Sequence, residues 1–143
     1  MIAPRASKAL RQYQQIDQSA AVYASPHRII QILMEGVQDR LIAAKVHIQR
    51  GQIAGKGEQI SKAIGILGGL RENLDHKIGG DLAADLEALY DYMERRLLEA
   101  NLYSDIAMID EVADLLRPIK EGWDAIGNSP EANPPPAPVD APA

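Results

Sequence analysis

The three histidines, His27, His47 and His76, have the widest chemical range in this sequence, since imidazole can bind a metal, carry phosphate or transfer a proton. No HExxH segment occurs, and the paired Glu-x-x-His motifs of di-iron helical proteins are missing. Glu72 and His76 are four residues apart, which on a helix favours a solvated pair over a ligand pair. Because the chain also has no cysteine, we expect no metal site and no cofactor.

The segment GQIAGKG, Gly51–Gly57, has the residue types of a phosphate-binding loop but not their spacing. That motif needs four residues between its glycines and a Ser or Thr after the lysine. A glycine-rich turn between helices is the better interpretation. The carboxylates between Asp81 and Glu94 are spread around one predicted helix, and no nucleophile–base arrangement is recognisable. The sequence therefore predicts a binding protein without a catalytic site, not an enzyme.

One segment keeps an alternative open. HIQRG, His47–Gly51, resembles the His-x-Leu-Lys-Gly motif of histidine phosphotransfer domains, which are also helical. Here Gln49 replaces the apolar residue, and the glycine falls at a predicted helix end. An exposed histidine near a helix C-terminus, where its charge is favourable, is the preferred interpretation. Phosphotransfer would require an exposed His47 in the middle of a helix.

Composition restricts the kind of protein. The 143 residues suggest one domain, and 46% of them are hydrophobic, with five Tyr, one Trp and no Phe, so the core must be aliphatic. The net charge of −5, with both signs interspersed, argues against nucleic-acid binding. No apolar run approaches the ~18 residues that span a membrane, so no membrane insertion is expected. The absence of cysteine and of a secretory signal pattern fits a cytoplasmic protein.

Apolar residues recur at spacings of three and four, which predicts helices and almost no strand. The first helix is predicted from Ser25 or Pro26 to about Arg50, because serine caps and proline suits a first turn. The second is predicted over about 56–76.

Asp81 is predicted to cap a third helix over about 82–102, with Leu82 opening its apolar seam. The fourth helix is predicted to start near 105 or 106. Pro118 lies within its apolar pattern, so a kink or break is expected near Arg117, because proline lacks the amide donor and clashes with the preceding turn.

Four helices of roughly 20 residues joined by short turns predict an all-α fold, an antiparallel up-down four-helix bundle over residues 25–126. Residues 1–24 contain a short amphipathic helical segment that is expected to pack on the bundle. Residues 127–143, GNSPEANPPPAPVDAPA, hold six of the nine prolines and predict a disordered Pro-rich tail.

Several apolar residues lie outside the predicted seams. The stretch ASPHRIIQILMEG, residues 24–36, is one source of them. Some of these residues widen the core, but together they exceed what a short bundle hides, and a large apolar surface often marks a partner site. The surplus residues are Ile29, Ile32, Met34, Ile66, Tyr90, Leu98, Leu102, Ile106 and Leu115.

The sequence resembles the FliS family of flagellin-specific export chaperones. The matching stretches are ASPHRIIQILMEG (24–36), KGEQISKAIGIL (56–67), GGDLAADLEALYDYMERRLLEAN (79–101) and IDEVADLL (109–116), followed by Trp123. Their order and spacing fit from about Leu10 to Trp123. The Pro-rich tail lies outside the resemblance, and Pro118 is unusual beside the family's last long helix.

The resemblance implies a cytoplasmic chaperone that binds the disordered C-terminal segment of flagellin one to one, in hydrophobic grooves and without ATP or metal. Binding would prevent premature polymerisation and deliver flagellin to the export gate of the flagellar type III apparatus. The N-terminal segment would occupy part of that surface when the chaperone is free. We predict these partner-binding residues: Leu10, Tyr13, Ile29, Ile32, Ile66, Tyr90, Leu98 and Leu102. A phosphotransfer domain using His47 and a generic helical adaptor are the alternatives.

Overall fold

The computed structural model describes residues 25–127, and within this range the chain forms four helices and no strand. The helices are α1 (Pro26–Gln49), α2 (Ile53–Glu72), α3 (His76–Tyr103) and α4 (Ile106–Ala125). The prediction of an all-helical chain is confirmed for these residues.

The limits of α1 follow the sequence signals that predicted them. The Ser25 hydroxyl accepts a hydrogen bond from the Arg28 amide at 3.1 Å, which satisfies one of the free donors of the first turn. Pro26 needs no donor partner there. Gly51 takes a φ of +68°, a left-handed conformation that glycine adopts without strain, and the chain turns into α2.

The predicted boundary between the second and third helices is wrong. α2 begins at Ile53 and ends at Glu72, so it lies several residues earlier than the predicted 56–76. Asp75, not Asp81, caps the next helix, because its carboxylate accepts hydrogen bonds from the amides of Lys77 and Ile78. α3 therefore begins at His76, the residue at which the second helix was predicted to end.

Gly80 explains part of that error. Its φ of 51° and ψ of −125° are not helical, so the first turn of α3 is offset from the remainder of the helix. The break thus lies inside α3, at Gly80, and not between α2 and α3. Leu82, predicted to open the seam, is 67% exposed, and Ala83 is buried instead.

A kink or break is predicted near Arg117, and the break does not occur, because α4 runs through Pro118 to Ala125. Pro118 is exposed, and so is Asp114, the residue whose carbonyl would otherwise accept the missing hydrogen bond. The opposite side of α4 buries Ile109, Val112 and Leu116 completely. This packing holds the helix together across the lost hydrogen bond.

The helices pack in sequence order, α1 on α2, α2 on α3 and α3 on α4, and α4 returns to α1. The core between them is aliphatic apart from Tyr90. Salt bridges also join two of these helix pairs. Lys45, late in α1, lies 2.6 Å from Asp110, early in α4, and Arg71, at the end of α2, binds Glu94 of α3 at 2.8 Å.

His27 and Trp123 join the start of α1 to the end of α4. The His27 Nε2 atom lies 2.6 Å from the Trp123 carbonyl oxygen, and the Trp123 indole N–H donates to the His27 carbonyl at 3.0 Å. The two rings stack with centroids 4.9 Å apart. The buried His27 ring therefore has a polar partner, and we call this reciprocal pair the clasp.

Candidate partner-binding surface

Most of the exposed large apolar side chains of residues 25–127 lie near the ends of helices, with Ile42 of α1 as an exception. One set lies where the start of α2 meets the end of α3; we call it the end patch, and it consists of Ile53, Leu98, Leu102 and Tyr103. The other exposed residues near helix ends are Ile78 and Leu82, early in α3, and Ile126, which follows α4. Apolar surface of this kind, held on rigid helices, suits a protein partner more than a small molecule.

Lys56 holds the helices beneath the end patch. Its buried ammonium group donates to the Asn101 carbonyl at 2.8 Å and to the Ser104 hydroxyl at 2.7 Å. Positive charge is favourable at a helix C-terminus, where carbonyl groups lack intrahelical partners. Ser104 itself takes a left-handed φ of 51° and ends α3. These hydrogen bonds hold the start of α2 and the end of α3, and therefore the end patch, in a fixed position.

A second polar network ties α3 to α4. The Glu111 carboxylate accepts a hydrogen bond from the Tyr92 hydroxyl and another from Arg96 Nε at 2.6 Å. These two donors hold the pKa of Glu111 below its usual range. The same carboxylate raises the pKa of Tyr92 above its usual value. Both side chains lie partly in solvent, so the network orients the helices more than it stabilises them.

The predicted binding residues fall into three groups by exposure. Leu98 and Leu102 are exposed, at 57% and 74%, and lie together on α3. Ile29 and Ile32 of α1 are half-buried. The others either lie in the core or outside the described residues, and the binding role of every one of them stays a prediction.

Ile66 and Tyr90 are the predicted residues that lie in the core, each 2% exposed. Burial raises the pKa of the Tyr90 hydroxyl to about 12. A partner would reach these two side chains only if neighbouring groups moved. Leu10 and Tyr13, the remaining predicted residues, lie outside the described residues.

The burial of Ile66 had a signal in the sequence. Residues 63–70, AIGILGGL, carry no polar side chain, and all eight are buried. A helix with an uninterrupted apolar stretch is expected to be covered on every side. Seam spacing alone does not use this information, and it therefore places Ile66 among the surplus residues.

The position of His47 argues against phosphotransfer. The residue lies two positions before the end of α1, and its Nδ1 atom is 2.7 Å from the Gln52 side-chain oxygen. Its ring packs so closely on α2 that a Cβ atom at Gly55 would lie 2.5 Å from ring atoms. A half-buried ring held on both sides is poorly placed to receive phosphate from a partner protein.

The described residues offer no alternative centre of metal chemistry. Residues 25–127 contain no cluster of three His, Asp or Glu side chains placed to hold a metal ion. His76 lies 3.1 Å from the Glu87 carboxylate, an exposed pair on one helix. No helix in this part of the chain has the length and hydropathy to cross a membrane.

Comparison with known proteins assigns the family. The family described as Flagellar protein FliS matches residues 9–130. Flagellar secretion chaperone FliSB of Pseudomonas aeruginosa is 52% identical over 124 residues, which cover 86% of this chain and 98% of that protein. Flagellar secretion chaperone FliS of Salmonella typhimurium is 44% identical over 126 residues, 87% and 92% of the two chains. The protein of the same name in Bacillus subtilis is 30% identical over 111 residues, 78% and 82%.

Proposed function

Because the chain belongs to the FliS family of flagellar secretion chaperones, we propose that it binds the disordered C-terminal segment of flagellin in the cytoplasm. One chaperone binds one flagellin, prevents premature polymerisation, and delivers the client to the export gate of the flagellar type III apparatus. This role requires binding and release without catalysis, metal or nucleotide.

We also propose the architecture that this role uses. Residues 25–126 form an antiparallel up-down four-helix bundle, supported by contacts that pair the starts of α1, α2 and α4 with the ends of α4, α3 and α1. Residues 1–24 pack on it and residues 127–143 form an unstructured tail. The burial of residues 63–70 supports the packing of residues 1–24 on the bundle, since α1 and α3 alone would cover only part of the circumference of α2.

The single observation that carries the proposal is the exposure of Leu98 and Leu102 on a helix whose position is fixed by buried contacts. A client helix that covers them would remove apolar surface from water without rearranging the chaperone. Full burial of a leucine side chain is worth about 2 kcal/mol, so covering the exposed part of each residue contributes roughly 1 to 1.5 kcal/mol.

Binding of the client to this surface still allows its release. A segment that folds as it binds loses conformational entropy, so a large contact area still gives a moderate affinity. The chaperone can then hold the client firmly enough to prevent polymerisation and still surrender it at the export gate. Rigid docking of a preformed partner over the same area would bind more tightly.

Calorimetric titration of the full chain with the C-terminal segment of flagellin from the same cell tests the proposal. We expect saturation at one to one, a negative heat-capacity change and a gain in helicity. Leu98→Asp should weaken binding by at least about tenfold, because it places a charge in an apolar contact. Ile42→Asp is the matched control, since Ile42 is 63% exposed on α1, away from the end patch.

Two results would contradict the proposal. Absence of binding at high concentration, with the helices intact by circular dichroism, would reject flagellin as the client. Equal weakening by Leu98→Asp and Ile42→Asp would reject the end patch as the docking surface while leaving the client in place. If Leu98→Asp abolished helicity, Leu98 would be a core residue and its assignment to the surface would be wrong.

A further inference from the structure

The last two turns of α4 are held in place differently from the rest of that helix. Complete burial in α4 ends at Leu116, and none of the described residues after it is buried. Beyond this point Ile119 and Trp123 pack against the core, but both are only partly buried. We call residues 118–125 the strap, because little apolar burial fixes them to the other helices.

Two residues of the strap disfavour a helix. Pro118 lacks an amide donor, and Gly122 has no packing reason to be glycine, since a Cβ atom there would meet nothing within 4 Å. Relative to alanine, proline disfavours a helix interior by roughly a hundredfold and glycine by about fivefold. Both costs would disappear if the chain left the helix after Arg117, because proline is well tolerated just beyond a helix end.

Polar contacts with α1 offset these costs. They are made by residues that follow one another at intervals of four and therefore share one side of α1. The contacts are the clasp, the Gln31–Asp124 hydrogen bond at 2.7 Å and the Lys120–Glu35 ion pair at 3.9 Å. The Gln31–Asp124 bond is exposed, so water can replace it, whereas the His27 ring is buried. The clasp is therefore the main attachment of the strap.

We propose that the strap opens as a unit, with Pro118 as its hinge and the clasp as its latch, while the rest of the four helices stays folded. Ile30 and Met34 come three and seven residues after His27, so they lie on the side of α1 that the strap contacts. Met34 is only 2% exposed in the closed state. Opening of the strap therefore uncovers apolar surface that the closed protein hides.

The open state gates access to this side of α1. A ligand that binds Ile30 or Met34 must wait for opening, so its apparent affinity is reduced by the fraction of molecules that are open. The latch shares no residue with the end patch. Opening therefore does not require the flagellin client, and it can be measured on the chain alone.

Amide hydrogen exchange of the full chain, followed by NMR at increasing urea concentrations, tests the proposal. We expect the amides of residues 119–125 to exchange roughly tenfold or more faster than those of residues 109–116. Their exchange should depend little on urea, because a local opening exposes little surface. Opening as a unit gives these amides similar opening free energies, whereas simple fraying gives values that decrease steadily toward residue 125.

Substitutions in α4 test the hinge. Pro118→Ala should slow exchange of the strap roughly thirtyfold, which is the hundredfold helix preference reduced by the greater flexibility of the open chain. Gly122→Ala should slow it by about fivefold. The amides of residues 123–125 discriminate best, because fraying of the last turn does not involve residue 118. Arg117→Ala is the control and should change these rates by less than about twofold.

A substitution in α1 tests the latch. His27→Ala should speed exchange of the strap by about tenfold, since it removes a hydrogen bond and an aromatic stack. Trp123 is the only tryptophan, so acrylamide should quench the fluorescence of this variant more strongly. Exchange of the strap at the rate and urea dependence of residues 109–116 would overturn the proposal. Amides of residues 123–125 that do not respond to Pro118→Ala would also overturn it.

Discussion

Replacing Pro118 with alanine should stabilise this protein, because α4 continues through a residue that a helix interior disfavours. Pro118 is the thirteenth of the 20 residues of α4, far from either end. Alanine would supply the amide donor that proline lacks and return a hydrogen bond to the Asp114 carbonyl. Pro118 is exposed, so the substitution removes no core contact.

The size of the effect follows from two opposing contributions. Proline in a helix interior is about 3 kcal/mol less favourable than alanine. Alanine also makes the unfolded chain more flexible, which subtracts about 0.4 to 1 kcal/mol from the gain. The net increase in the free energy of unfolding should be about 2 kcal/mol. In urea this shifts the midpoint upward by about 1 M for a chain of this size.

Urea unfolding followed by far-ultraviolet circular dichroism measures that shift. Arg117→Ala is the neighbouring control: it removes only an exposed ion pair with Asp114 at 3.1 Å and should change stability by less than about 0.5 kcal/mol. An unchanged or lower midpoint for Pro118→Ala, with the same slope, would refute the continuous helix. It would mean that the chain leaves the helix near Arg117, as the sequence alone suggested.

Two further substitutions test local contacts. Gly55→Ala should destabilise the protein by about 1 to 3 kcal/mol, because its Cβ would lie 2.5 Å from the His47 ring. In a His47→Ala background the same change should stabilise the protein by about 0.5 to 1 kcal/mol. An identical effect in both backgrounds would contradict the contact. Glu111→Gln should flatten the acid side of the stability profile. Tyr92 and Arg96 lower the pKa of Glu111 in the folded protein. Its contribution to the free energy of unfolding is therefore present above the unfolded pKa and is lost as pH falls through the folded pKa. Overlapping stability profiles of the two proteins between about pH 2 and pH 6 would contradict this assignment.

Local sequence signals predicted the helix ends that are marked by one clear capping or turn residue. Ser25 with Pro26 and the turn glycine Gly51 bracket α1, and Asp105 caps α4 through the amides of Ala107 and Met108. Between α2 and α3, the sequence predicted Asp81 as the cap, whereas Asp75 caps the helix in the structure. The choice of Asp75 depends on where α2 leaves the core, which periodicity does not report.

Tertiary packing decides whether a residue outside the predicted seams is exposed or buried, which periodicity does not show. Leu98 and Ile66 both lay outside a predicted seam, yet one is exposed and the other is buried. The difference comes from what surrounds each helix, because a seam identifies the side facing the core but not how much of the remainder is covered. Pro118 shows the same effect: local preference predicted a break, and burial of the opposite side of α4 outweighs it.

The clasp has a consequence for the order in which the chain is built. His27 and Trp123 are 96 positions apart, so a ribosome must release almost the whole helical region before they can meet. The α1–α2 and α2–α3 contacts join segments adjacent in sequence and can form earlier, during synthesis. α4 is therefore the last helix to dock, and the side of α1 that it covers stays open to water until translation is nearly complete.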